Sequence, residues 1–181
     1  MASSGRGVPD EGDVLDLTPG ETALARLPTR TSPVEHLPAE AYENLLVVTV
    51  DGPEQVEAAV RAGGGTPVNV GVVPVSASQV GYDGPCWTAE RVSPSDLTGI
   101  SIQYSRGERY LQDGSGWVVV DGLETLLMYA DETKLYRLLS HLVGRARERR
   151  LRHVTGVTSD ALADETLARF RNVHDRSLRF E

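Results

Sequence analysis

Few residues in this chain sit in an arrangement that chemistry requires, and the first is Asp121. The run Val118-Val119-Val120 delivers it at the end of an apolar segment. A buried strand that ends in one carboxylate is how an α/β protein places an oxygen ligand where Mg²⁺ would meet a phosphate. The same pattern also describes plain strand ends, so position among other groups decides its meaning. Three neighbours are candidates to share a nucleotide site with it: Asp51, after the apolar run Leu45 to Val50, and Glu124 and Thr125, just beyond Asp121.

Other reactive residues offer less. His36, His141, His153 and His174 are scattered, with no pair at metal-ligand spacing. Cys86 is the single cysteine, so an internal disulfide is impossible and a thiolate zinc site is not expected. It has no neighbouring His to activate it. Gly63-Gly64-Gly65 follows a helix pattern and does not open one, unlike a phosphate loop. No G-x-S-x-G elbow occurs. The arginines between Arg145 and Arg152 allow a nucleic-acid patch, but a helix C-terminus that favours cations accounts for them better.

The elements that must position these residues follow from periodicity. Leu45 to Val50 and Trp117 to Val120 are continuous apolar runs, as in strands covered on both faces. Val68 to Val75, His153 to Thr158 and Val173 to Phe180 predict further strands, with a short one over Ala89 to Val92. Glu54 to Ala62 is a helix entered by Pro53. A second helix begins after Ser93-Pro94-Ser95-Asp96, read as a capping box, and a third covers Asp160 to Arg171. Leu135, Leu138, Leu139, Leu142, Val143 and Ala146 make the core stripe of the strongest helix, with Asp131 and Glu132 at its start. Upstream, Val14 to Leu17 reads as a short strand, Thr18-Pro19-Gly20 as a turn, Glu21 to Leu27 as helical turns and Ala39 to Glu43 as a short helix. Residues 1–12 are small and polar and read as a disordered tail, which leaves 13–181 as one domain. Alternating strands and helices predict a three-layer α/β fold: a mainly parallel sheet with helices on both faces.

Trp117 to Leu127, WVVVDGLETLL, resembles the Walker B strand and turn of RecA and KaiC ATPases. Leu45 to Gln55, LLVVTVDGPEQ, is similar to the KaiC strand that carries catalytic glutamates before a Pro-Glu-Gln helix start. The order of elements from residue 45 onward fits as well. The chain resembles degenerate KaiC-like proteins of haloarchaeal type, called HTR-like, over about three quarters of its length. That resemblance implies a RecA/KaiC-like fold with Asp121, Asp51, Glu124 and Thr125 as remnants of a nucleotide site.

The departures shape the functional expectation. A phosphate loop needs G-x-x-x-x-G-K-[ST], whose backbone N–H groups and lysine surround the phosphates. No such motif exists here, and Lys134, the one lysine, lies in the helix after Asp121. The segment expected to carry a Walker A strand is Val14 to Gly20, and Thr18-Pro19-Gly20-Glu21 supplies no lysine. Asp51 stands where KaiC has a glutamate. The expectation is therefore no catalysis, no cofactor and no bound metal. The chain instead acts through an unidentified protein partner, with a homo-oligomer among the possibilities. The alternatives are a weak nucleotide-binding module without hydrolysis and a DNA-associated RecA-type accessory factor.

Composition sets the remaining bounds. The net charge is −8, which disfavours a large nucleic-acid footprint. Arginine in place of lysine, with an excess of acids, is the composition of a high-GC and salt-adapted genome, though an ordinary acidic actinobacterial protein has it too. There is no apolar stretch of bilayer length and no apolar leader at the start, so no membrane and a cytoplasmic location are expected.

Overall fold

A computed structural model describes residues 14–181, so the tail assigned to 1–12 lies outside the described residues. Among the described residues seven strands, all parallel, form one sheet: β1 (Thr22–Leu27), β2 (Leu45–Thr49), β3 (Val70–Pro74), β4 (Trp87–Thr88), β5 (Trp117–Asp121), β6 (Arg152–Thr158) and β7 (Arg176–Arg179), in the order β4-β3-β2-β5-β6-β1-β7. Five α-helices connect them: α1 (Pro53–Ala62), α2 (Leu97–Glu108), α3 (Leu123–Tyr129), α4 (Glu132–Arg149) and α5 (Asp164–Arg171). This is the expected α/β architecture with both sheet faces covered.

Each face has its own core because side chains alternate along a strand. On one face, Ala23, Ala25, Leu45, Val47, Val119 and Val154 pack with Val56 and Val60 of α1 and with Val34 and Tyr42 of two 3-10 turns, Pro33–His36 and Ala39–Glu43. On the other, Leu24, Leu46, Val48, Val118 and Val120 meet Ile100 and Tyr104 of α2, Leu123 of α3, Leu135, Leu139 and Leu142 of α4 and Phe170 of α5. Parallel strands need long crossovers, and their two-sided burial explains why β2 and β5 are apolar throughout.

Several expectations are corrected upstream of residue 45. Val14 to Leu17 is irregular rather than a strand. It lies across the first face, with Leu15 and Leu17 buried and the Leu15 N–H bonded to the His36 carbonyl at 2.7 Å. Glu21 to Leu27 is not helical, since Thr22–Leu27 forms β1 and pairs with both β6 and β7. Its alanines suit either conformation, and a slot between two partner strands decides the outcome.

Smaller corrections follow the caps. Helix α2 is capped by Asp96, which accepts from the Gly99 N–H at 2.9 Å, so Ser93 to Ser95 precede the cap. The short strand near Ala89 falls at Trp87–Thr88 instead, with Val92 adding only a bridge to Val75. Helix α5 starts at Asp164, later than expected. The segment after Asp121 carries the separate helix α3, and Ala130 ends it before Asp131 caps α4 through the Lys134 N–H.

Candidate functional site

Ligands of open parallel sheets lie beyond the carboxyl ends of the strands, where neighbouring connections part to opposite faces. Here that point lies between β2 and β5. The chain leaving β2 enters α1 on one face, and the chain leaving β5 enters α3 and α4 on the other. Asp51 and Asp121 flank this crevice. A second parting separates β1, followed by the 3-10 turn at Pro33, from β6, followed by α5.

Asp121 lies in register between Thr49 on β2 and Gly156 on β6. By alternation from Val119 it points to the α1 face, under the 3-10 turn. Gly156 leaves room for it: a Cβ there would come within 2.9 Å of Asp121 Oδ1 and 2.6 Å of Pro33 Cγ. Pro33 therefore roofs the carboxylate, and only 7% of Asp121 is exposed. Burial pushes the Asp121 carboxyl up to about 7, and the charges of Asp51 and Glu124 add to that rise. Hydrogen bonds from the Ser32 hydroxyl and the Gly122 N–H oppose it. Gly122 has φ +94°, and a Cβ would strike Val50 Cγ2 at 2.5 Å, so this turn requires glycine.

The other sequence candidates have distinct roles. Asp51 is exposed at the mouth, and desolvation followed by the Glu124 charge raises its carboxyl. Glu124 is committed elsewhere: its carboxylate accepts from the Thr158 N–H at 2.9 Å and the Thr158 hydroxyl at 3.0 Å, tying α3 to the end of β6. Thr125 lies in the first turn of α3, its N–H bonded to the Gly122 carbonyl at 3.0 Å. The structure thus brings Asp121, Asp51 and Glu124 within electrostatic reach and leaves Thr125 in a helical role.

Sequence reasoning missed the loop that completes this site. The strand two places from β5 is β1, which follows the segment Val14 to Gly20 expected to carry a Walker A strand, and the loop after it is Pro28-Thr29-Arg30-Thr31-Ser32. Ser32 caps the following turn by accepting from the Val34 N–H at 3.2 Å, and Glu35 returns to the Ser32 N–H at 3.0 Å. The S-P-V-E pattern of that capping box is present in the sequence, whereas the left-handed conformation of Arg30, with φ 64°, appears only in the fold. Arg30, Thr31, Ser32 and Glu35 face Asp51 and the Gln55, Ala58, Ala59 and Ala62 side of α1 across a cleft of about 530 Å³.

Chemically, a buried carboxyl near neutrality holds or yields a proton more readily than it binds a hard cation. No group of three or more potential metal ligands occurs among the described residues. Lys134 stands exposed in the first turn of α4. Four of the five arginines from 145 to 152 are paired within the chain, Arg145 and Arg149 with Glu108, Arg149 also with Asp113, Arg147 with Asp175, and Arg152 with the Leu17 carbonyl, while Arg150 is exposed at the end of α4. No helix among the described residues is long and apolar enough to cross a membrane.

Comparison with solved structures agrees with the architecture. A Pyrococcus horikoshii OT3 protein solved as a structural-project target superposes with a TM-score of 0.59 at 15% identity, covering 90% of this chain and 83% of that one. In all, 131 solved chains match, so the architecture is widely shared and does not by itself identify an activity. No curated protein matches the sequence. Residues 11–179 match the profile of a family of unknown function, DUF7504, and the chain belongs to that family.

Proposed function

We propose that this protein is a RecA/KaiC-like domain that has given up ATP hydrolysis and acts in the cytoplasm by binding another protein, in regulation or signalling. One observation carries this reading. Pro33 and the Asp121 carboxylate fill the gap beside Gly156, with the Ser32 hydroxyl turned onto the carboxylate, which on this reading leaves no room there for a phosphate loop and Mg²⁺. The helix that a phosphate loop would open is reduced to the four-residue 3-10 turn Pro33–His36. Too short to align many peptide dipoles, it offers little of the anion-binding field of a full helix N-terminus. Asp121 then serves the packing of the strand ends, with Asp51, Glu124 and Thr125 as remnants around it. The internal pairing of Arg145, Arg147, Arg149 and Arg152, together with the net charge of −8, disfavours the DNA-associated reading.

A second reading keeps one supporting feature. Arg30 stands at the 530 Å³ cleft beside Asp51 and Ser32, and a guanidinium there is a cation that a nucleotide phosphate could use. Thermal denaturation with and without Mg²⁺-ATP separates the two, since a ligand of the folded state must raise the melting temperature. The first reading expects no nucleotide-dependent rise and no phosphate release, with a defined protein complex or homo-oligomer recovered in high salt. A saturable rise lost in Arg30→Gln would replace it with the nucleotide-binding reading.

A further inference from the structure

The opposite face of the same sheet edge holds an unusual charge. Arg26 lies on β1, an interior strand between β6 and β7, and points with Leu24 toward the side covered by α4 and α5. Its register partner on β7 is Arg179, which alternation from Leu178 places on the same side. Arg171, the last residue of α5, is near enough that its charge and that of Arg179 lower the proton affinity of Arg26, after burial itself.

Six arginines are half-buried among the described residues: Arg26, Arg149, Arg152, Arg169, Arg176 and Arg179. Five of them have a hydrogen bond or an ion pair. Arg26 has neither among the described residues, and its Nε is buried with no acceptor. The hydroxyls of Ser159, just past β6, and Ser177, beside Leu24 on β7, are also buried without partners. The acid whose charge favours the ionised Arg26 is Asp160, whose side chain is 82% exposed and reaches Arg179 at 3.5 Å. Glu181 reaches Arg179 at the same distance.

Protection of a sheet edge by charge accounts for arginines on β7. It does not account for Arg26 on an interior strand, where an apolar residue would pack at no electrostatic cost. In a chain of net charge −8, three converging guanidinium groups with only a solvent-exposed aspartate and a terminal glutamate beside them lack an anion. Planar guanidinium forks suit tetrahedral oxyanions, and a serine hydroxyl donates to the same oxygens.

We propose that Arg26, Arg171 and Arg179, with the hydroxyls of Ser159 and Ser177, form a binding site for a phosphate dianion, inorganic or carried on a small phosphomonoester. It stands apart from the Asp121 crevice and holds whether or not that crevice binds nucleotide.

Isothermal titration of the full chain with inorganic phosphate, and separately with phosphoserine, at constant ionic strength set by chloride, tests it. Saturable binding of at least one is expected. Comparable affinities assign the site to the dianion alone, and tighter phosphoserine binding assigns it to a monoester. Arg26→Gln, Arg179→Gln and the exposed Arg171→Gln should each weaken binding about tenfold or more, as loss of a charge-assisted bond does. Arg137→Gln, exposed on α4, should leave it unchanged. Circular dichroism establishes folding, and Arg171→Gln keeps the test valid where Arg26→Gln does not fold. No saturable heat from either ligand, or an equal loss in Arg137→Gln, overturns the proposal.

Discussion

The Asp121 carboxylate occupies the volume that a side chain on Gly156 would need. The two are register partners on β5 and β6, and Oδ1 lies 2.9 Å from where the missing Cβ would be. The same gap receives Pro33 at 2.6 Å. One absent methyl thus lets a strand-end acid be covered by the turn that follows β1, and this burial is what pushes its carboxyl up to about 7.

Gly156→Ala should therefore be costly, although alanine is compatible with strand backbone. The methyl must displace Pro33 or Asp121, neither of which is the free end of a flexible chain. Overpacking of this kind costs about 1–3 kcal/mol. Chemical denaturation of the variant measures it. A loss below about 0.5 kcal/mol would mean that the turn at Pro33 is loosely seated.

Leu139→Ala and Leu142→Ala should each destabilise by roughly 2–5 kcal/mol, the range for emptying a packed core position. Both leucines are about 1% exposed and sit between α4 and the sheet. If both variants lose less than about 1 kcal/mol in urea, α4 packs on the sheet less firmly than this burial implies.

Where one physical constraint dominates, the sequence was legible. β2 and β5 are apolar on both sides because both sheet faces are covered, and α4 shows its stripe because only one side is buried. β1 was not legible. Thr-Ala-Leu-Ala-Arg-Leu has no β-branched run, and its conformation is imposed by pairing with strands more than a hundred residues later. Because β1 was misread, the loop after it went unrecognised, and with it Ser32 and Arg30. Asp121, Asp51 and Glu124 stand out as candidates in the sequence because each lies at or shortly after the end of an apolar run. The engagement of Glu124 with Thr158 is a contact across 34 residues that no local pattern encodes.

Mg²⁺ or Mn²⁺ should not stabilise the protein specifically. Mg²⁺ in such sites is held by one or two carboxylates together with phosphates and water, and Asp121 is roofed by Pro33 while Glu124 is occupied. Thermal melts of wild type and Asp121→Asn with either cation at matched ionic strength check this. A saturable rise in wild type that the variant lacks would require a metal site at the crevice.

The last prediction concerns pH, where two buried groups act in opposite directions. The His174 Nδ1–H donates to the Phe170 carbonyl at 2.8 Å, so its Nε2 accepts from the Thr155 hydroxyl, also at 2.8 Å. Thr155 in turn accepts from His153 Nε2–H at 2.9 Å. This chain requires both imidazoles neutral, and burial lowers His174 to about 4 and His153 well below its ordinary value. The unfolded chain then binds more protons than the native one between about pH 4 and 6.5, so this pair makes stability rise with pH there. Asp121 does the reverse. Its native value near 7 exceeds the unfolded one, so the native state binds the extra proton between about pH 4 and 7, and the stability it contributes at low pH is lost as pH rises through 7. Asp121→Asn keeps one acceptor oxygen for Ser32 and removes only this second effect. Relative to wild type, the variant should gain stability as pH is raised from 4.5 to 8, by up to a few kcal/mol, and its own stability should climb more steeply with pH. Urea denaturation of both proteins across that range reads the difference directly. A gap between them that does not change with pH would mean that Asp121 is ionised in the folded protein throughout, and that Pro33 does not seal it from water.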